Sequence, residues 1–139
     1  VDLAAAQKIV EAALAYAVEH QLKPLAIGVL DSRGALKAFA AQDGVSLKRG
    51  EIALGKANGA IALGMGSRAL FKRAEQQPFF IAAATAAVGG SLVPVPGGVL
   101  VKQDGALVGV VGISGDTSDN DEAAALAGIA AAGYQGETG

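Results

Sequence analysis

Residues 109–128 read GVVGISGDTSDNDEAAALAG, an apolar, glycine-laced run that breaks into a polar corner and resumes as almost pure alanine and leucine. The first part, Leu107–Ser114, has the β-branched character of a buried strand, and the last, from about Ser118 to Ala132, that of a packed helix. Between them Thr117 or Ser118 can cap the helix, and Ser118-Asp119-Asn120-Asp121 has capping-box spacing, with a carboxylate three residues after the hydroxyl. Acidic side chains in a first turn gain roughly 0.3–1 kcal/mol each from the helix dipole, so helix initiation accounts for most of this cluster. A calcium loop needs alternating oxygen ligands, a glycine at the turn and a distal glutamate; here Asp119, Asn120 and Asp121 are followed by Glu122 and alanines. No metal site is expected.

Working outward, Val99–Lys102 and Leu107–Ser114 flank Gln103-Asp104-Gly105-Ala106 and predict a hairpin, preceded by a rigid turn over Val93–Gly98. A second hairpin is predicted nearer the start, where Leu25–Leu30 and an apolar run through Ala41 flank Asp31-Ser32-Arg33-Gly34, with both strands expected to be at least half buried. Leu3, Ala6, Val10, Ala13, Leu14 and Ala17 recur at helical spacing after Asp2, a plausible cap, and predict a helix over 3–20. Ser46 is expected to cap a helix from Leu47 to about Leu63, and Ser67 another that ends near Pro78; residues 79–88 read as either helix or buried loop. Gly50, Gly55 and Gly59 would weaken the Leu47–Leu63 helix unless another backbone approaches closely, within the fold or in a second subunit. Paired neighbouring strands separated by helices predict an α+β fold, an antiparallel sheet built from two hairpins with helices packed on it. No linker or internal repeat divides residues 1–139, so one domain is expected.

The composition narrows function. A net charge of −2 without a basic arm argues against nucleic acid, and the absence of cysteine removes disulfides, thiolate metal sites and a cysteine nucleophile. One histidine excludes zinc sites made of histidine and cysteine. No apolar run is long enough to span a bilayer. A cytoplasmic setting is expected, with secretion the alternative because the sequence opens at Val1 rather than Met.

Candidate chemistry is sparse. Cations gather at Lys48, Arg49, Lys56, Arg68, Lys72 and Arg73. Arg49 and Lys56, with Ser46, can face one pocket and bind a carboxylate, leaving Lys48, Arg68 and Lys72 in solvent; the alternative, and the commoner outcome for such runs, is a solvated face throughout. Gly97 and Gly98 can present backbone amides to an anion or a cofactor edge. Walker and Gly-x-Gly-x-x-Gly spacings are absent, so no nucleotide cofactor is expected. Ser114 stands in Gly112-Ile113-Ser114-Gly115, which is not a hydrolase elbow, and enters as a ligand contact. Asp43, Asp121 and Glu122 are candidate proton carriers. His20, at the end of the first helix, suits either a helix terminus or an axial haem position, with Met65, Tyr16 and Tyr134 as other donors.

Taken in order, LAIGVLDSRGAL, QDGVSLKRGEIALGKANGAI, VPGGVLV and DGALVGVVGISGDTSDNDEAAALAG resemble the GlcG/HbpS-like family, the haem-degrading or DUF336 family related to the C-terminal domain of PduO-type proteins. The family's signatures fall at Asp31 and Gly34, Asp43 and Gly44, Lys56 and Ala57, Gly97 and Gly98, and Gly112, Ser114, Gly115, Asp121 and Glu122. The chain departs at Ala41-Gln42, where an arginine and a methionine often precede Asp-Gly. The resemblance implies a profilin-like fold and a homo-oligomer, as a dimer, tetramer or octamer. It implies a small-molecule ligand, with haem or another tetrapyrrole as the candidate cofactor. The alternative is an enzyme or accessory protein acting on a small organic acid in a catabolic pathway.

Overall fold

A computed structural model describes residues 1–139. Five helices surround one five-stranded antiparallel sheet of order β2-β1-β4-β3-β5. The first helix, α1 (Leu3–Glu19), precedes the hairpin β1 (Ala26–Asp31) and β2 (Leu36–Ala41). Then come α2 (Arg49–Leu63), α3 (Ser67–Gln76) and α4 (Pro78–Ala87), the second hairpin β3 (Gly98–Gln103) and β4 (Ala106–Ser114), α5 (Ser118–Ala131) and a short β5 (Gln135–Glu137). The two predicted hairpins join through β1 and β4 at the centre, so the α+β architecture expected from the sequence is the one observed.

Strand alternation divides the sheet into two faces. Ile27, Val29, Val99, Val101, Val111 and Ile113 form the larger core with α1 and α5. Leu30, Leu100 and Val110 face the other way, onto Ala57 and Ala60 of α2. Helix α1 has its inner stripe at Ala6, Ile9, Val10, Ala13 and Ala17, and Asp2 caps it by accepting from the Ala5 amide at 2.9 Å. Where α5 crosses α1, a side chain at Gly128 would lie 2.7 Å from the Ile9 carbonyl, so a glycine is needed there.

The α2 face carries a row of three glycines. Gly28 of β1 is paired with Gly112 of β4, which is paired with Gly98 of β3. A Cβ at Gly112 would stand 2.1 Å from the Ala53 carbonyl oxygen, and one at Gly98 would stand 2.4 Å from that of Lys56. Without side chains in the row, the backbone of α2 lies directly on the sheet. The glycines of α2 serve other contacts: Gly55 and Gly59 make room for Val93 and Leu92 on the side away from the row, and Gly50 for the Phe39 ring of β2. Their close approach is therefore internal to the chain.

Several local expectations are corrected. Strand β2 is mostly exposed, since it forms the sheet edge and α2 packs on β1, β3 and β4. Ser46 does not cap α2; Lys48 occupies the cap position without a side-chain hydrogen bond. Ser67 is the first residue of α3 rather than its cap, and its hydroxyl accepts from the Gly98 amide at 2.6 Å, joining α3 to β3. Residues 78–87 are helical, opened by Pro78 in the first turn, where its missing N–H costs no hydrogen bond. Strand β5 was not visible in the sequence because it has three exposed residues and no apolar pattern. No helix is long and apolar enough to cross a membrane.

The seating of α2 makes a direct prediction. Gly112→Ala would place a methyl carbon against the Ala53 carbonyl, and an overpacking cost of roughly 1–3 kcal/mol is expected. Urea denaturation should give a lower midpoint at unchanged slope; an unaltered midpoint would contradict the close approach.

Candidate functional site

The contact of α2 with the glycine row carries Lys56 into the interior. Its side chain is 2% exposed and ends between two acceptors, donating to the Ile113 carbonyl at 2.9 Å and to Asp121 Oδ2 at 3.1 Å. Burial pushes the Lys56 ammonium below the ordinary lysine range, with Asp121 opposing that shift and Arg49 adding to it. Gly97 covers this pair. It has φ +127, and a side chain there would stand 2.8 Å from Lys56 Nζ. The Gly97 carbonyl accepts from the Ile113 amide, and the Gly98 amide donates to Ser67. Gly97 thus closes over the lysine and bonds to β4, while Gly98 ties β3 to α3.

The other oxygen of Asp121 accepts from the Asp116 amide at 2.9 Å. The Asp116 carboxylate in turn accepts from the Lys23 amide at 2.8 Å, the Thr117 amide at 2.8 Å and Asn120 Nδ2 at 2.7 Å. These donors, Asn120 first, hold the Asp116 carboxyl below the usual carboxylate range. Thr117 caps α5 by accepting from the Asn120 amide at 3.1 Å. The opening acidic cluster therefore does more than start a helix: Asp121 neutralises a buried lysine, and Asp116 ties the β4–α5 corner to the segment before β1.

Beside this corner lies a cavity of about 410 Å³, lined by Lys23, Val45, Ser46, Arg49, Asp116 and Thr117 among others. Arg49 Nη1 donates to the buried Ser114 hydroxyl at 3.1 Å, which orients the guanidinium. Arg49 and Ser46 meet at one cavity, with Ser114 behind Arg49. Lys56 points into the sheet instead, because the glycine row leaves space there and Asp121 supplies its charge partner. Arg68, expected in solvent, is drawn onto the start of α5. Its Nε lies 3.0 Å from Glu122 Oε2 and its Nη2 3.1 Å from Oε1, a two-pronged pair, and Nη2 also reaches Asp119. Both Asp121 and Glu122 are engaged in ion pairs, whereas Asp43 sits on the exposed turn after β2. His20 ends α1, exposed and stacked on Tyr16 at 3.8 Å between ring centroids. It is not part of the cavity wall. No three acidic or histidine side chains converge as a metal group would require.

Sequence reasoning missed Lys23 and Asp116. Lys23 stands alone before Pro24, and nothing local links it to a residue so far along the chain. Asp116 had a usable signal, a Gly-Asp-Thr corner directly after a buried strand, but its neighbours in the same acidic run made the capping explanation sufficient.

Two predictions test this network. Asp121→Ala leaves Lys56 as an unpaired buried charge and should cost about 3–5 kcal/mol in urea denaturation. The double variant Lys56→Met/Asp121→Leu should recover much of that loss, and equal destabilisation by both proteins would contradict the pairing. Asp116 has a depressed folded-state pKa, so its stabilisation is present above the ordinary aspartate value of about 3.9 and is lost as pH falls through the folded value. Asp116→Asn should be less stable than the native protein at neutral pH and approach it in acid, and a constant difference across that range would contradict the assignment.

The family model for haem degrading protein HbpS-like matches residues 1–130. No curated protein matches the chain. Among solved structures, the chain is similar to PduOC in its heme complex, with 25% identity, 96% of each chain covered and a TM-score of 0.85. It is similar to HbpS at 29% identity, covering 94% of this chain and 88% of that one, with a TM-score of 0.80. It shares its fold with the Klebsiella pneumoniae protein ORFY, of family DUF336, at 24% identity, 95% and 90% coverage and a TM-score of 0.86. With strands β1 to β4 and the buried Lys56–Asp121 pair inside the matched residues, the chain belongs to the HbpS-like family of haem degrading proteins.

Proposed function

We propose that the chain is an oligomeric domain that binds haem or a related tetrapyrrole. The observation that carries this reading is the likeness, over 96% of both chains, to a protein solved as a heme complex, together with the family match across residues 1–130.

The chain's own donors fit such a ligand. His20 Nδ1 lies 3.0 Å from the Tyr16 carbonyl. A carbonyl only accepts, so this contact favours the tautomer with the proton on Nδ1, in which Nε2 is the nitrogen open to a metal. Imidazole nitrogen is a common haem ligand, and His20 is the axial candidate. Bound haem supplies an iron centre for redox or ligand chemistry, and the protein's part is to hold it and limit access of water. Covering the macrocycle needs more apolar surface than the cavity beside Arg49 offers, since Val45 is the one hydrophobic residue in its wall. Exposed aromatics elsewhere, with Phe79 at 75% exposure, give a second copy a surface to cover, which supports an oligomer.

The polar wall of that cavity favours a second reading, a domain acting on or carrying a small organic acid. Spectral titration with hemin separates the two. A saturable Soret shift at fixed stoichiometry is expected, and His20→Ala should weaken binding or move the Soret band. A non-saturating response equal to that of an unrelated protein would overturn the haem reading, and an unchanged spectrum and affinity in His20→Ala would remove the histidine from the iron.

A further inference from the structure

We infer that the cavity between the start of α2 and the β4–α5 corner is a carboxylate-binding site. Arg49 and Lys23 would receive one carboxylate group, carried either by a propionate arm of a tetrapyrrole or by a free small organic acid. The first of these sources rests on the haem reading; the site itself does not.

The inference starts from the charges that the fold leaves over. Lys56 and Arg68 are each matched by acids of α5, Lys56 by Asp121 and Arg68 by Glu122 and Asp119. Arg49 is different. Its hydrogen bond within the chain runs from Nη1 to the neutral Ser114 hydroxyl, and no carboxylate lies within ion-pair distance of it. Its Nε and Nη2 therefore keep donors that a carboxylate can take, and the planar guanidinium favours such a two-oxygen partner. Ser114 is fully buried, so the guanidinium is held from behind by a fixed group.

Lys23 stands on the same cavity wall and adds a second cation, while Ser46 and Thr117 add hydroxyls. Asp116 is the one acid there. Its oxygens are turned to the corner, accepting from the Lys23 and Thr117 amides and from Asn120. The wall thus carries two cations against one internally engaged carboxylate, a net positive hollow in a chain whose formal charge is −2. The start of α2 has no side-chain cap and contributes further positive potential beside Arg49. A volume of about 410 Å³ suits a carboxylate with a short carbon stem.

The test uses hemin, hemin dimethyl ester, sodium propionate and inorganic phosphate on the native protein and on Arg49→Gln and Lys23→Gln. Lys23 lends only its backbone amide to the fold's hydrogen bonds, so its variant should fold even if Arg49→Gln does not. If the carboxylate comes from a tetrapyrrole, each variant should bind hemin about tenfold more weakly, while the dimethyl ester binds all three proteins alike. If it comes from a free acid, sodium propionate should shift the amide NMR signals of Gly115 and Thr117 saturably in the native protein and not in the variants, whatever hemin does. Equal hemin affinity in all three proteins together with no saturable propionate shift would overturn the site, leaving the haem reading intact. Phosphate producing the same shifts more tightly than propionate would overturn the carboxylate class. Absence of hemin binding with a saturable propionate response would remove the haem reading and leave the site standing.

Discussion

The structure depends on one close contact, the backbone of α2 lying on a row of glycines that crosses three strands. Gly28, Gly112 and Gly98 stand side by side in register, and the Ala53 and Lys56 carbonyls come to within 2.1 Å and 2.4 Å of where side chains at Gly112 and Gly98 would begin. A larger residue at Gly112 or Gly98 would lift the helix. With it would rise everything that α2 places: Lys56 in the interior, Arg49 at the cavity and the far-side glycines under Leu92 and Val93.

That contact also explains why an ion pair is buried here. A lysine on the inner face of a helix pressed onto a sheet has no route to solvent, and its charge must be met where it ends. Asp121 meets it from α5, and the second oxygen of Asp121 fixes the Asp116 amide. A packing constraint at the centre of the sheet is thereby converted into a defined shape at the β4–α5 corner. The cavity wall at Gly115, Asp116 and Thr117 is the outer side of that corner. Interior and surface are linked by two hydrogen bonds.

Much of the fold was legible in the sequence because it is written in local patterns. The stripe of α1, both hairpins and the α5 start follow from spacing and turn residues, and the family resemblance follows from ordered motifs. The site was legible only in part. Arg49 and Ser46 flank the start of one helix, so the sequence can suggest a shared surface for them without showing the cavity that they line. Lys56 was assigned to the same pocket because charge in sequence looks solvent-bound; its burial depends on a glycine row whose members are 84 residues apart from Gly28 to Gly112, and only strand register shows that they are neighbours. Likewise Arg68 was read as a surface cation, since its partners Asp119 and Glu122 approach it only when α3 packs near the start of α5. The Gly97-Gly98 pair invited an anion-binding reading, and the structure gives those residues a steric role over Lys56.

The HbpS-like family match and the leftover charge on Arg49 meet at the question of what enters the cavity. The most direct measurement is a pair of crystal structures of the protein, one grown with hemin and one with sodium propionate. The account predicts a carboxylate, of haem or of free propionate, within hydrogen-bonding distance of Arg49, with Lys23 turned toward it and the Lys56–Asp121 pair undisturbed. No carboxylate at Arg49 in either structure, or a Lys56 side chain swung out to meet the ligand, would contradict it.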